Sequence, residues 1–322
     1  MSTPTKIWIV IASVLVILGA ALFVAVTSAN QWDFTKLSTS KLVTNSHQIS
    51  EDFYDLSIST ETAHIVLLPS DDETCKVVCY EHEKETHTVG VRDGKLSVGL
   101  TDQRKWYDYI GIHFGTPKIT VYLPKTVYGR LSIKESTGEV EISKNFTFES
   151  INVTASTGDV KLEASATGAI KIGTSTGDIC AEGLSAASMD LSVTTGKVTV
   201  RSIDCAGEVK IQVSTGDTTL SDVVCGSFTS TGSTGDVSMK NVIATEDFSI
   251  KRTTGDVIFD GCDAVEMKIE TDTGSVKGSL LTEKVFIVKT DTGKVDVPTS
   301  VSGGRCEITT DTGNIRISVV AR

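Results

Sequence analysis

The chain has 322 residues, with 30 Lys+Arg against 41 Asp+Glu and a formal net charge of −11. At 39% hydrophobic and 22% charged residues, it is neither an intrinsically disordered chain nor a multi-spanning membrane protein. The acidic balance argues against non-specific nucleic-acid binding, which needs basic surface to displace phosphate counterions, and 27 Gly with 5 Pro fit neither collagen nor a proline-rich stalk.

A short tail, residues 1–6, precedes an uncharged stretch from Ile7 to Ala29. At ~1.5 Å per residue this stretch makes a helix of roughly 34 Å, enough to cross a hydrocarbon core. Trp8 at one end and Trp32 with Phe34 at the other suit interfacial anchoring. The small residues ending at Ala29 also allow a cleavable signal peptide, but the apolar run exceeds the ~7–15 residues usual for one. An uncleaved transmembrane helix over residues 7–29 is therefore expected. Lys6 on one side is balanced by Lys36 and Lys41 on the other, so charge does not set the orientation.

Residues 30–50 read as a juxtamembrane linker and a first strand, and residues 51–135 as a degenerate first rung with a β-rich cap. The segment Leu56–Leu67 has the apolar spacing of the repeat described below, with Ala63 at its corner. Strands are predicted near 75–82, 86–91, 94–100, 117–123 and 129–135, with Asp93-Gly94 as a hairpin turn. Such an insertion would cover a solenoid end whose open strand edge invites aggregation. The stretch from Lys105 to Phe114 is the densest aromatic cluster. Trp106, Tyr107, Tyr109 and Phe114 are candidates for an interaction patch, with packing inside the cap as the competing reading.

From residue 136 to 322 a Thr-Gly dipeptide recurs, with its glycine at Gly138, Gly158, Gly177, Gly196, Gly216, Gly235, Gly255, Gly274, Gly293 and Gly313. The spacings are 20, 19, 19, 20, 19, 20, 19, 19 and 20. Apolar residues stand two and four positions after most of these glycines, and seven and five before them, the two-residue period of half-buried strands. The β-branched content and this alternation exclude helical repeats. A unit of this length cannot close its own core, so neighbouring units must stack. The predicted fold is all-β: a parallel β-solenoid of about ten rungs of 19–20 residues, right-handed by the crossover rule, in a rod about 45 Å long. The glycines are assigned as structural turn residues. Thr-Gly pairs at Gly168 and Gly232 fall off the period and read as incidental. The strand from Asn314 to Val320 has no cap after it and is expected to form an open end of the rod, exposed or paired with a partner.

The Ser-Thr-Gly-Asp-Val repeats at 156–160, 175–179 and 233–237, behind one N-terminal helix, resemble the bacterial putative-adhesin β-strand-repeat family of unknown function. The similarity runs from about residue 50 to the C-terminus. It implies an envelope-associated protein with its solenoid outside the cell membrane, and it supplies no catalytic residues. Some relatives accompany envelope-stress regulatory systems.

Asp-Thr-Gly at 272–274, 291–293 and 311–313 also marks aspartic proteases, which need two carboxylates sharing a proton. Here the three copies occupy the repeat corner. Asp159, Asp178, Asp217, Asp236 and Asp256 follow their glycines, whereas Asp272, Asp291 and Asp311 precede theirs, so the acids read as turn caps. A Ca²⁺ ladder is the alternative; Lys197 and Lys294 interrupt it, and no Ca²⁺-loop motif is present.

Of the seven cysteines, Cys180, Cys205, Cys225, Cys262 and Cys306 lie in the repeats, and the last four of these read as core. Stacking would permit a Cys205–Cys225 disulfide without requiring one. Cys75 and Cys79 share a strand face near His82 but lack zinc-module spacing. His47, His64, His82, His87 and His113 all precede the regular repeats and form no nucleophile–base signature.

The reading is a non-catalytic, single-pass envelope protein presenting a β-solenoid for structural or adhesin-like binding. No catalytic residue, cofactor or metal ligand is assigned. The expected partners are the membrane, through residues 7–29, and a cell-wall polymer or another envelope protein; no nucleic acid is expected, and oligomeric state is left open. An envelope-stress sensing accessory is the alternative within the same class. A polysaccharide-active β-helix enzyme is the alternative from another class, disfavoured because the corners are short.

Overall fold

The computed structural model describes residues 3–33, 40–106 and 115–320. Helix α1, Thr3–Ala29, carries the uncharged stretch, and none of its most apolar window is buried against the rest of the protein. The helix is long and apolar enough to cross a membrane.

All the strands among the described residues join one continuous sheet that winds through the rod. Each regular turn is a long strand, a Thr-Gly corner and a short strand, as in Thr147–Thr157, Gly158 and Val160–Leu162. Successive turns pair in parallel, with residues 19 or 20 apart in register. One ladder runs Leu131–Ile151–Ile170–Met189–Val209–Phe228, and another Val140–Val160–Ile179–Val198. These side chains are almost completely buried, so the core is a set of columns running along the rod axis. Every column member has neighbours above and below, which makes burial depend on stacking rather than on closure within one turn.

The cap begins with β1, Leu42–Ile49, followed by β2, Asp55–Thr62, and β3, His64–Pro69. It continues through β4, Cys75–His82; β5, Glu85–Arg92; β6, Lys95–Asp102; and β7, Lys118–Leu123. The chain then enters β8, Val127–Thr137, and β9, Val140–Ile142. β2 and β3 form the degenerate first turn and stack in parallel on β8 and β9, with Leu56 opposite Leu131 and Ile65 opposite Val140. On their other side β6 and β7 extend the same ladders, Leu56 to Leu96 and Ile65 to Ile119. Antiparallel pairing then ends the stack: β5 on β6, β4 on β7, and β1 on β4. Asp93-Gly94 is the two-residue hairpin, with φ of 51° and 70°, the left-handed pair that a type I′ turn requires.

At the far end the stacking order departs from the sequence order. The Gly274 turn (Glu266–Thr273 and Val276–Leu280) pairs with the last turn in the chain, Gly304–Thr312 and Ile315–Val319. That turn pairs in its turn with the Gly293 turn, Lys284–Thr292 and Val295–Asp296. The spatial order is thus Gly274, Gly313, Gly293. The strand from Asn314 is interior, and the edge of the rod is the penultimate turn.

Local chemistry explains this. Pro298 has no N–H to offer a further neighbour, so its turn suits the end of the ladder. The last turn enters through Gly303-Gly304, where a Cβ on Gly303 would lie 1.8 Å from the Glu283 carbonyl oxygen and one on Gly304 1.8 Å from that of Val265. Lys284, buried at the crossing, donates to the Ala264 carbonyl and Thr282 Oγ1, each at 2.6 Å, and pairs with Asp263 at 2.6 Å.

Candidate functional site

The most regular exposed feature is the corner stripe. Eleven threonines stack in one register: Thr62, Thr137, Thr157, Thr176, Thr195, Thr215, Thr234, Thr254, Thr273, Thr312 and Thr292 in spatial order. All are exposed. The glycine after every one but Thr62, which Ala63 follows, lets the corners lie close together. At Gly216, φ is 135° and a Cβ would stand 1.9 Å from the Gly196 carbonyl oxygen. Gly138, Gly158, Gly177, Gly235, Gly255, Gly274 and Gly313 occupy the same corner, also with positive φ, while a Cβ on Gly293 would stand 2.0 Å from the Gly313 carbonyl oxygen.

The corner acids reach along the rod. Asp159 Oδ1 accepts from the Asp178 N–H at 2.8 Å, Asp178 from Lys197 at 2.7 Å, Asp217 from Asp236 at 3.1 Å, Asp236 from Asp256 at 2.8 Å, and Asp256 from Ser275 at 2.8 Å. Each carboxylate therefore caps the backbone of the next turn rather than its own. Asn314 does the same for Lys294 at 2.9 Å. Asp272, Asp311 and Asp291 stack on successive exposed corners. An outward stripe of one carboxylate per turn is not the enclosed pair that proton sharing requires.

The flat faces carry charge in register, as at Lys171–Asp190 (3.9 Å) and Lys251–Glu270 (3.2 Å). At the free end a shallow groove of about 510 Å³ is lined by Lys277, Lys294, Asp296 and Arg316, among others. Trp106 is exposed; Tyr107, Tyr109 and Phe114 lie outside the described residues.

Inside the cap is a polar group that linear spacing did not reveal. Glu81 and His87 are buried, and His87 Nδ1 and its backbone N–H both donate to Glu81 Oε2 at 2.7 Å. Asn45 Nδ2 donates to Glu81 Oε1 at 2.6 Å, and His87 Nε2 meets Thr60 Oγ1 at 2.9 Å. Cys79 Sγ, a Glu81 oxygen and a His87 nitrogen all lie within 4.8 Å of one another. Cys75 and Cys79 share a face of β4 as expected, but strand alternation puts Glu81 on that face and His82 on the other. Antiparallel pairing in the cap has no period to follow, so the partner His87 was not legible. Burial, with the Glu81 charge beside it, pushes the Cys79 thiol up to about 12.

Two further charges lie within the rod. Glu135 occupies an inward position filled by Ala155 and Thr174 two and three turns further from the cap than Thr60. Neither of its oxygens makes a well-formed hydrogen bond, and burial pushes its carboxyl up to about 7. Arg252 is 1% exposed. Its Nη2 donates to Thr218 Oγ1 and Ser230 Oγ, each at 2.9 Å, and its Nη1 lies 2.4 Å from where a Cβ on Gly232 would be. Gly232 is thus no incidental glycine. Thr218, Ser230 and Gly232 interrupt three inward columns and together make the slot for one guanidinium, a coincidence readable from the aligned repeats. All seven cysteines are free thiols, and Cys205 and Cys225 stand opposite each other in register.

The model of the toastrack DUF4097 domain matches residues 53–217 and again 204–322. This chain belongs to the toastrack DUF4097 family. The toastrack match opens beside β2 and leaves α1 outside it. Among solved structures, a putative adhesin from Bacteroides fragilis is 18% identical with a TM-score of 0.46, over 74% of this chain and 97% of that one. A putative adhesin from Parabacteroides distasonis is 12% identical with a TM-score of 0.49, over 75% and 98%. A putative cell adhesion protein from Clostridium sporogenes is 9% identical with a TM-score of 0.29, over 87% and 100%. No curated protein matches the toastrack chain.

Proposed function

We propose that this toastrack protein is a non-catalytic, single-pass membrane protein of the cell envelope, whose rod binds a repeating wall polymer along the corner threonines. The observation that carries the reading is the in-register stripe of eleven exposed threonines. Hydroxyls repeating every ~4.8 Å offer a donor and an acceptor per turn, and two turns, ~9.6 Å, are on the scale of a disaccharide. A periodic ligand can then engage many weak contacts at once, the second and later ones at high effective concentration. The carboxylates of Asp159, Asp178, Asp217, Asp236 and Asp256 are engaged by backbone N–H groups, which favours a scaffold over acid–base chemistry. The unburied apolar helix supports anchoring in the membrane.

The test has two arms. External protease on intact cells is expected to degrade the rod; protection until lysis reverses the topology. Full-length protein in detergent is expected to sediment with isolated cell wall. Replacing Thr195, Thr215 and Thr234 together by Val should weaken that binding about tenfold while leaving the melting temperature nearly unchanged. Unaltered binding by the triple variant, or reproducible cleavage of wall polysaccharide, overturns the proposal.

A further inference from the structure

The buried polar group in the cap contains a donor set whose chemistry goes beyond packing. Cys79 and Glu81 project two residues apart from one face of β4, and His87 comes from the adjoining β5. All three are buried, at 0%, 1% and 6% exposure. Their sulfur, oxygen and nitrogen atoms lie within 4.8 Å of one another. In a region otherwise built from Leu56, Val77, Leu96 and Val98, an apolar trio would serve packing better, because taking a carboxylate and an imidazole out of water costs more than their mutual contact usually returns.

We propose that Cys79, Glu81 and His87 form a structural binding site for a thiophilic divalent cation of the Zn²⁺ class. One thiolate, one imidazole and one carboxylate are ordinary zinc ligands, and a soft sulfur in the set selects against Mg²⁺ and Ca²⁺. The 2.7 Å separation of His87 Nδ1 and Glu81 Oε2 needs to open to only about 3.3 Å for both to bind one ion at ~2.0–2.1 Å with tetrahedral angles.

The groups behind the ligands are already in place. Asn45 Nδ2 holds the other oxygen of Glu81, at 2.6 Å. Thr60 Oγ1 stands 2.9 Å from His87 Nε2, so that nitrogen can carry the ring proton and donate it while Nδ1 faces the ion. On binding, the Cys79 thiol proton leaves to solvent and the His87 proton moves from Nδ1 to Nε2; one proton is released per ion. The fourth position falls to a water or to His47. His47 lies on β1 opposite Val77, the residue two before Cys79 on the same face of β4, and its Nε2 is buried with no hydrogen-bond partner. The site would tie the β4–β5 hairpin to Thr60 on β2, fastening the cap to the first turn of the rod.

The experiment uses the full-length protein in detergent, stripped with a chelator, reloaded with Zn²⁺ or Co²⁺ and desalted before metal analysis. One equivalent per chain is expected. The Co²⁺ form should show thiolate-to-metal charge-transfer absorption that Cys79→Ser abolishes and Cys205→Ser leaves intact. Thr60→Val should weaken binding about tenfold, and His87→Gln by more, which keeps the test alive if Cys79→Ser fails to fold. A folded wild-type chain that retains no metal, or a charge-transfer band that survives Cys79→Ser, overturns the site.

Discussion

Among single residues, the inward corner position shows how one substitution changes the thermodynamics of a column. Most turns near it place Thr, Ala or Val there; Thr174, Thr271 and Thr310 turn their hydroxyls onto the carbonyls of Gly158, Gly255 and Gly274. Glu135 puts a carboxyl in the same place, and its pKa rises from 4.5 to about 7. A carboxyl whose folded pKa lies above its unfolded value binds its proton more tightly in the native state. Its contribution is therefore fully present below pH ~4.5 and is lost as pH rises through about 7, amounting to on the order of 3 kcal/mol. Glu135→Gln should remove that dependence. Denaturant titrations at pH 5 and pH 8 are expected to show wild type losing stability between the two and the variant changing far less; parallel losses would refute the assignment. Nothing in the repeat pattern marks Glu135 as unusual except its position. The slot around Arg252 was more legible, because three apolar columns break beside it at Thr218, Ser230 and Gly232.

Among whole elements, the reversed order of the last two turns follows from features that the period ignores. Each turn offers the same corner and the same inward spacing, so any turn could in principle lie on any other. What selects the arrangement is the absent N–H of Pro298, the buried Lys284–Asp263 pair, and the clearance at Gly303 and Gly304. Gly304→Val should block insertion of 304–319, since its first side-chain carbon would lie 1.8 Å from the Val265 carbonyl oxygen. A loss of about 3 kcal/mol is expected, with the backbone at Arg305 and Arg316 opened to trypsin. Wild-type resistance to trypsin in the variant would rule out this threading. The cap follows a similar logic: its strands and the Asp93-Gly94 turn were legible from alternation and turn chemistry, whereas the pairing of β6 on β2 and β4 on β7 was not.

For the molecule as a whole, stability is distributed along one axis. Strand pairing joins each turn mainly to its two neighbours, so a fault in the middle divides the stack into two units, while a fault at the end shortens it. Gly216→Val, near mid-rod, combines a positive φ of 135° with a Cβ 1.9 Å from the Gly196 carbonyl oxygen. A cost of roughly 2–6 kcal/mol is expected from strain and overpacking together. Calorimetry should resolve two transitions, for the cap-side and free-end segments, where wild type gives a sharper one. An unchanged single transition would show that the corner tolerates a side chain.

By itself the sequence determined the apolar helix, the all-β class, the corner glycines and the columns of the core. These are local or periodic properties: they depend on spacing along the chain, and a repeat writes the same spacing many times. Tertiary structure alone decided which turn neighbours which at the free end, which turn's backbone each corner carboxylate caps, and the meeting of Cys79 and Glu81 with His87. Those depend on contacts between segments distant along the chain, which spacing alone does not specify, and where a proline without an N–H, a glycine without a side chain or a strand turned antiparallel settles the outcome.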